Sequence, residues 1–367
     1  MTAMAVGGLT PVISGWSAVS PYGIGRDAFV EGVRSGRSTA TALDGEAWHG
    51  PGERACLVPG FTVRDVLGRK GTRSMDRVTG LAVTAVGRLL GEGPQAGAGP
   101  VPDGADVGLV LGTNTGSAQS MMDFTRDTFT EEKPYHVDPS RFPNTVMNCA
   151  AGQCAIWYGL KGPNATVAAG RSSGLQALNY GRRLLVSGRA RSVLCGAVEE
   201  YSDARSWLEH HARRDNDSAG VLGEGCAIVR MLPGDSVSDD EGLAELLTVE
   251  SAVTGPQGVA GTLTRCVERA LARADAAADE VWAVAPSAPA GRPGAEERDV
   301  LTRLFPTAEE WLSQPELIGD TSAASAAFQL VAVLAAAQDV PATAGRLAVI
   351  TSVDGDGSVA CALLRLR

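Results

Sequence analysis

Apolar positions along this chain follow two patterns: short continuous runs, and longer stretches with an apolar residue at every third or fourth position. Continuous runs at residues 107–112, 192–197 and 281–285 predict buried strands. Helical spacing at 79–90 and 175–186 predicts amphipathic helices. The chain is therefore predicted to be α/β throughout. The same patterns predict strands at 11–15, 223–229, 347–351 and 359–364, and helices starting at 26–33 and covering 116–129, 262–277 and 321–337.

The pattern restarts after residues 233–242, a stretch rich in Gly, Asp and Ser. Strands and helices follow in a similar order on both sides of it. Two halves of similar order indicate an internal duplication. We place the halves at residues 1–236 and 237–367, the second closing on a hairpin of strands.

Composition narrows the function classes. Charged residues make up 20% and hydrophobic residues 44% of the chain, and the formal net charge of −10 argues against nucleic-acid binding. No apolar run is long enough to span a bilayer, and the first residues lack the features of a signal peptide, so we expect a cytoplasmic protein without membrane contact. The seven cysteines show no metal-binding spacing, which predicts buried thiols and no metal or cofactor.

One segment points to a specific chemistry. Residues 162–177 have the pattern of a strand, a tight turn and a helix start. The segment resembles the nucleophile turn of the β-ketoacyl synthases, in which a cysteine stands between the strand and a Ser-Gly pair. Here Arg171 holds that position, before Ser172, Ser173 and Gly174. An arginine stays protonated and cannot form a thioester.

The resemblance extends over nearly the whole chain. Residues 12–25 are similar to the ketosynthase start, residues 142–152 to a mid-domain segment near the dimer contact, and residues 223–225 to a Gly-Glu-Gly strand start. Their order and separations identify the chain as a member of this family. The resemblance implies a thiolase-like fold, with duplicated βαβ-rich halves in a layered αβαβα arrangement.

The departures from the family pattern concern the catalytic positions. A condensing ketosynthase also needs two histidines, for decarboxylation and for stabilising the developing negative charge. Ser287 and Asp320 stand in the two histidine positions, Pro315 replaces an expected lysine, and residues 352–358 replace the Gly-Phe-Gly-Gly turn without a phenylalanine. The chain has four histidines, none of them in an expected segment: His49, His136, His210 and His211.

This combination resembles the chain length factors of type II polyketide synthases, ketosynthase homologues that lack the cysteine. Many of them carry glutamine in its place, so an arginine is a departure. The resemblance implies no catalysis by this chain alone, a heterodimer with an active ketosynthase, and an acyl carrier protein that brings the growing chain. It also implies a share in the acyl tunnel, for which we nominate one face of the 116–129 helix and two later residues: Met121, Phe124, Thr125, Thr128, Phe142 and Met147.

A charge argument concerns the lost site itself. An arginine at a helix N-terminus opposes the helix dipole and needs a carboxylate nearby. In an active ketosynthase the cysteine and the second histidine are neighbours across a small cavity. We therefore predict a buried ion pair between Arg171 and Asp320 that fills the former active site.

Two other functions stay open at this point. One is an acyl-thioester hydrolase or malonyl decarboxylase with Ser172 or Ser173 as nucleophile, which would need His210 or His211 to approach from a loop as the base. The other is a homodimeric acyl-binding protein with a self-complementary interface.

Overall fold

The computed structural model describes residues 10–91, 104–212, 220–238, 241–338 and 340–367. The strands are β1 (Val12–Ser20), β2 (Gly23–Ile24), β3 (Thr41–Ala42), β4 (Arg54–Cys56), β5 (Val107–Gly112), β6 (Asn164–Val167), β7 (Ser192–Glu199), β8 (Leu222–Gly223), β9 (Gly225–Leu232), β10 (Ala244–Val253), β11 (Val281–Ala285), β12 (Glu310–Trp311), β13 (Leu347–Val353) and β14 (Ser358–Leu366). The α-helices are α1 (Arg26–Ser35), α2 (Val63–Leu67), α3 (Arg77–Leu89), α4 (Ala118–Thr130), α5 (Cys149–Tyr158), α6 (Ser173–Val186), α7 (Asp203–Ala212), α8 (Gly258–Ala274), α9 (Arg292–Leu304), α10 (Pro315–Ile318) and α11 (Ser325–Ala337). Short 3₁₀ turns include Pro139–Thr145 and Ser322–Ala324.

Ten strands form one path in the order β12-β11-β13-β14-β10-β1-β9-β7-β5-β6, and β2 pairs with β1 beside it. The path divides between β10 and β1 into two five-stranded halves, β1-β9-β7-β5-β6 and β10-β14-β13-β11-β12. In each half the two innermost pairings are antiparallel and the three outer strands run parallel. The two halves therefore share order and direction, as the sequence pattern predicts.

The helices arrange these strands in layers. Helices α6 and α11 contact each other and strands of both halves, so they form a central layer. Helices α3 and α5 cover the outer face of the first half, and α8 and α9 cover that of the second. The resulting αβαβα arrangement confirms the predicted fold class.

The core follows the same division. The largest cluster of buried apolar side chains lies between the two halves and includes Leu175 of α6 and Phe328 of α11, both fully buried. Separate clusters lie under α3 and α5 and under α8 and α9. Helix α11 is apolar all round and is buried from Ser325 to Ala335, and α6 buries one face while it exposes Tyr180, Arg183 and Val186. Packing of these two helices fixes the turns that precede them.

The structure corrects three predicted boundaries. The predicted strand at 223–229 is interrupted at Glu224, since Gly225 has a φ of 142°. The predicted helix at 321–337 begins with a 3₁₀ turn, because Ser322 has a φ of 45°. Helix α8 ends at Ala274, where Asp275 takes the left-handed conformation. The start of the chain, used for the signal-peptide expectation, lies outside the described residues. Within the described ranges, no helix is long and apolar enough to cross a membrane.

Candidate functional site

The duplicated topology brings several polar residues to one place. Arg171 lies between β6 and α6, and Asp320 lies between β12 and α11, which are equivalent connections in the two halves. Asp354 follows β13 and Ser287 follows β11. Ligand sites of α/β proteins form where the carboxyl ends of such strands meet. A cavity of about 540 Å³ opens there, with Arg171, Asp320 and Asp354 in its wall.

The predicted ion pair between Arg171 and Asp320 is present. Arg171 Nη1 donates to Asp320 Oδ1 over 2.7 Å, and Nη2 donates to Oδ2, so the contact is bidentate. The side chains are 13% and 15% exposed. A planar guanidinium facing both oxygens of one carboxylate is the strong form of this contact. The pair thus occupies the cavity wall at the position of the expected nucleophile.

Each partner changes the titration of the other. Burial by itself would raise the pKa of Asp320, but the charge and hydrogen bonds of Arg171 lower it from 3.8 to about 2. Burial by itself would lower the pKa of Arg171, and the Asp320 carboxylate raises it instead. Both groups are therefore charged at neutral pH, and the attraction offsets the cost of removing them from water.

The turn that carries Asp320 is fixed by backbone contacts to the first half. The Asp320 N–H donates to the Val221 carbonyl over 2.7 Å, and the Asp320 carbonyl accepts from the Gly223 N–H over 2.9 Å. The buried Arg205 of α7 donates to the same carbonyl over 2.8 Å. The Ser322 N–H donates to Asp320 Oδ1 over 2.9 Å, which aims the carboxylate at Arg171. The sequence does not predict this role for Arg205, since nothing in its local pattern indicates burial.

A second carboxylate contacts the Arg171 turn from the tip of the β13–β14 hairpin. Asp354 Oδ2 accepts from the Arg171 backbone N–H over 2.7 Å. Gly170, with a φ of 54°, makes this approach possible, because a Cβ at that position would lie 2.0 Å from Asp354 Oδ2. The sequence indicates the loss of the Gly-Phe-Gly-Gly turn but predicts no contact for Asp354. The two acidic residues in the replacement segment 352–358 were the available signal.

Ser287 does not face the cavity; it is completely buried. Its Oγ donates to the buried Glu297 carboxylate of α9 (2.9 and 3.0 Å) and accepts from the Val353 N–H over 2.9 Å. Glu297 also accepts from the Ser287 and Ala288 N–H groups and from Thr351 Oγ1. Burial raises the pKa of Glu297, and these donors offset part of the rise. Ser287 is thus a packing and hydrogen-bonding residue of the second half.

The two serines after Arg171 are committed to the backbone. Ser172 Oγ donates to the Ala169 carbonyl over 2.7 Å. Ser173 Oγ is buried, lies 2.7 Å from the Gly170 carbonyl, and accepts from the Ala169 N–H over 2.9 Å. On α7, His211 instead stacks on Trp207, and His210 meets the Trp207 ring edge to face. The geometry joins neither serine to an imidazole.

The Gly-Glu-Gly segment at 223–225 has a structural explanation. The Glu224 carboxylate is fully buried and forms an ion pair with Arg77 at the start of α3, with oxygen–nitrogen distances of 2.5 and 2.6 Å. It also accepts the N–H groups of Val58 and Tyr201. Glu224 therefore joins the start of α3, the segment that follows β4 and the segment that precedes α7.

The start of α4 is held by another buried carboxylate. Glu200, at the end of β7, accepts from Ser117 Oγ over 3.0 Å, from the Val78 N–H over 3.2 Å and from the Gln119 N–H over 3.4 Å. Burial raises the pKa of Glu200 to about 8, with the neighbouring Asp76 adding to the rise. The contacts fix α4 against α3, so the outer face of α4 has a defined position.

The nominated tunnel residues lie at the surface of the chain rather than in its core. Met121, Thr125, Phe142 and Met147 are exposed, and Phe124 and Thr128 are half-buried. Phe124 and Phe142 meet edge to face, with ring centroids 5.9 Å apart. Other exposed apolar side chains continue this surface along α4 and α5: Met122, Phe129, Val146 and Ile156. We call this surface the apolar face.

Comparison with known proteins agrees with this architecture. The model of the β-ketoacyl synthase N-terminal domain matches residues 11–234. The ishigamide ketosynthase/chain length factor is 45% identical, with a TM-score of 0.92, over 97% of this chain and 99% of that one. A type II polyketide synthase acyl-carrier protein in complex with its ketosynthase, bound to the hexaketide, matches with 16% identity and a TM-score of 0.78 over 98% of this chain and 100% of that one, a likeness of fold.

The sequence is also similar to that of a curated relative. The putative polyketide β-ketoacyl synthase 2 of Streptomyces virginiae is 28% identical over 199 residues, covering 53% of this chain and 48% of that protein. The chain spans about half the length of the curated relatives it matches.

Proposed function

Because the chain belongs to the β-ketoacyl synthase family, in the branch that holds the ketosynthase/chain length factor proteins, we propose that it is a chain length factor without catalysis of its own. It pairs with an active ketosynthase as a heterodimer and supplies part of the tunnel that holds the growing polyketide chain. The observation that carries the proposal is the Arg171–Asp320 ion pair at the nucleophile position of an otherwise intact ketosynthase fold.

The absence of catalysis is supported by the geometry at three positions. A guanidinium offers no nucleophile, and its two terminal nitrogens are engaged by Asp320. Ser287, in one histidine position, is buried beneath the cavity and bonded to Glu297. Asp320, in the other, is an anion that would repel a developing negative charge rather than stabilise it.

The apolar face supports a protein partner. Exposed apolar side chains concentrate there, and Ile156 and Phe129 are 76% and 83% exposed. Strand β6, which lies beside α5, ends the strand path with a free edge among the described residues. Exposed apolar patches next to an open strand edge favour association with another chain. A ketosynthase subunit is the partner that the family resemblance implies.

The tunnel assignment rests on the same surface. Phe124, Phe142, Met121 and Thr125 combine apolar groups with partial exposure, which suits residues that a partner subunit and an acyl chain cover together. We propose that the Phe124–Phe142 contact is the part of this surface that limits the length of the chain. An acyl carrier protein bearing the chain is then the second partner of the complex.

Two alternatives are weaker. A hydrolase or decarboxylase that uses Ser172 or Ser173 needs a base, yet both hydroxyls bond to backbone carbonyls, and the His210 and His211 rings contact Trp207. A homodimeric acyl-binding protein would use the same apolar face, so only its partner distinguishes it from the heterodimer.

Co-expression with a type II ketosynthase encoded beside it tests the proposal. We expect a one-to-one complex by size-exclusion chromatography with light scattering, and elongation of acyl groups by the complex but not by this chain alone. A stable homodimer that hydrolyses or decarboxylates acyl thioesters unaided would overturn it.

Product analysis tests the tunnel. Phe124→Ala in the complex is expected to lengthen the products, because it removes the ring that meets Phe142. Tyr135→Ala is the control, since Tyr135 is 70% exposed, follows the same helix and lies outside the apolar face. Unchanged product length in a soluble, assembled Phe124→Ala complex would reject the assignment.

A further inference from the structure

The backbone N–H of Arg171 has a partner from the opposite half of the molecule. This N–H belongs to the turn just before α6, one residue ahead of the N-cap residue Ser172. Asp354 Oδ2 accepts from it over 2.7 Å. Asp354 Oδ1 accepts from the Gly355 N–H over 2.7 Å, so both carboxylate oxygens are engaged.

The hairpin tip holds this carboxylate in place. The Asp354 N–H donates to the Ser358 carbonyl over 2.9 Å, and the Asp354 carbonyl accepts from the Gly357 N–H over 3.1 Å. On the other side, the Cα of Gly170 lies so close that a Cβ there would meet Asp354 Oδ2 at 2.0 Å. The carboxylate thus lies directly against the turn.

The position of this donor has a chemical meaning. When a nucleophile on such a turn attacks a thioester, negative charge develops on the carbonyl oxygen, and backbone N–H groups at the nucleophile stabilise it. A carboxylate bound to the N–H uses the donor and repels the developing charge. Losing one such donor lowers the rate by about 10²–10³.

The two acidic residues around Arg171 therefore act on different atoms. Asp320 binds the guanidinium, and Asp354 binds the backbone N–H. Asp356, in the same hairpin tip and the same cavity wall, accepts instead from the Ser358 N–H over 2.7 Å. A change at Asp356 therefore removes one negative charge from the hairpin tip and leaves the contact between Asp354 and the Arg171 N–H in place.

We infer that the Asp354 carboxylate, by accepting a hydrogen bond from the backbone N–H of residue 171, obstructs thioester chemistry independently of the arginine side chain. The inference rests on the proposed loss of catalysis and deepens it. Two separate changes then stand between this chain and acylation: the missing thiol and the occupied donor. Restoring the thiol alone leaves the donor occupied.

The test uses a thiol introduced into the full chain. Arg171→Cys combined with Asp320→Asn supplies the nucleophile without leaving an unpaired carboxylate, and the asparagine can still accept from the Ser322 N–H. In the reaction with an acyl N-acetylcysteamine thioester, a bond forms between the new sulfur and the carbonyl carbon. The bond to N-acetylcysteamine breaks, and that leaving thiol takes the proton. Intact-protein mass spectrometry measures the rate of acylation.

We expect added Asp354→Ala to raise the acylation rate about 100-fold, Asp354→Asn to raise it less, and Asp356→Ala to leave it within about threefold of the parent. Alkylation by iodoacetamide should change far less than acylation, since it forms no oxyanion. Equal acylation rates with and without Asp354, in variants with unchanged thermal midpoints, overturn the inference. If the alanine variant does not fold, Asp354→Gly, which also lacks an acceptor, decides the same question.

This outcome is independent of partner binding. A chain that fails to assemble with a ketosynthase, but shows the Asp354 effect, refutes the proposed function and keeps the inference. A chain that assembles and sets product length, but shows no Asp354 effect, supports the proposed function and refutes the inference.

Discussion

The two halves of this protein have the same strand order and direction, but they differ in the connection between their equivalent outer strands. In the first half, residues 113–163 join β5 to β6 and contain α4, a 3₁₀ turn and α5. In the second half, residues 286–309 join β11 to β12 through the polar helix α9. Among the described residues, large exposed apolar side chains concentrate in the first connection, and none lies in the second.

This difference shows that the two halves diverge in the connections between their outer strands. The strands and central helices must bury the same kind of apolar surface in both halves, so both halves retain the same order and direction of strands. The outer connections carry no such requirement and can serve another chain. The equivalent turns differ too, with a cation at Arg171 and an anion at Asp320. Helix N-termini favour the anion, which explains why the cation needs a partner from the other half.

The largest expected effect comes from breaking the charge match between the halves. Asp320→Asn leaves the Arg171 guanidinium buried beside a neutral group, and we expect a loss of about 3–5 kcal/mol in the free energy of unfolding. Urea denaturation followed by circular dichroism measures it. The double change Arg171→Leu and Asp320→Leu is the control and should recover most of the loss, because it removes both charges. Equal losses in the two proteins would contradict the pairing argument.

A smaller effect is expected at the apolar face. Ile156→Lys places a charge near the C-terminal end of α5, where a helix tolerates a cation. We expect at least 100-fold weaker binding to a ketosynthase partner, about 3 kcal/mol, with the stability of the free chain nearly unchanged. Val253→Lys is the matched control, since Val253 is as exposed as Ile156 but belongs to β10 of the second half. Comparable losses in both variants would remove the distinction between the halves.

The smallest effect concerns acid stability. The pKa of Asp320 is about 2 in the folded protein, below its ordinary 3.8. A lowered carboxyl pKa adds stability that is present above the unfolded value and is lost as the pH falls through the folded value. We therefore expect about 2 kcal/mol of stability to disappear between about pH 4 and pH 2. This loss should be smaller in the Arg171→Leu, Asp320→Leu protein. Identical pH profiles would mean that the pair does not contribute.

The sequence by itself determined the elements of the fold and which residue types depart from the family pattern. The predicted positions of β5, β7 and β11 agree closely with the structure, because the buried residues of these strands form continuous apolar runs. The restart of the pattern after residues 233–242 indicated the duplication. The family resemblance points to Arg171 and Asp320, and the unfavourable position of a cation at a helix N-terminus predicts that they pair. These conclusions depend on residue types and their local order, which a sequence contains in full.

Only the tertiary structure decided how the remaining polar groups are used. Ser287 stands in a catalytic position by alignment, yet Glu297 from a separate helix holds it inside the core. Asp354 reaches the Arg171 N–H only because a hairpin tip from the second half meets a turn from the first. The Ser287–Glu297 contact joins two elements of the second half, and the Asp354–Arg171 contact joins the two halves. Both arise from the packing of separate elements, and no local pattern of apolar and polar positions specifies them.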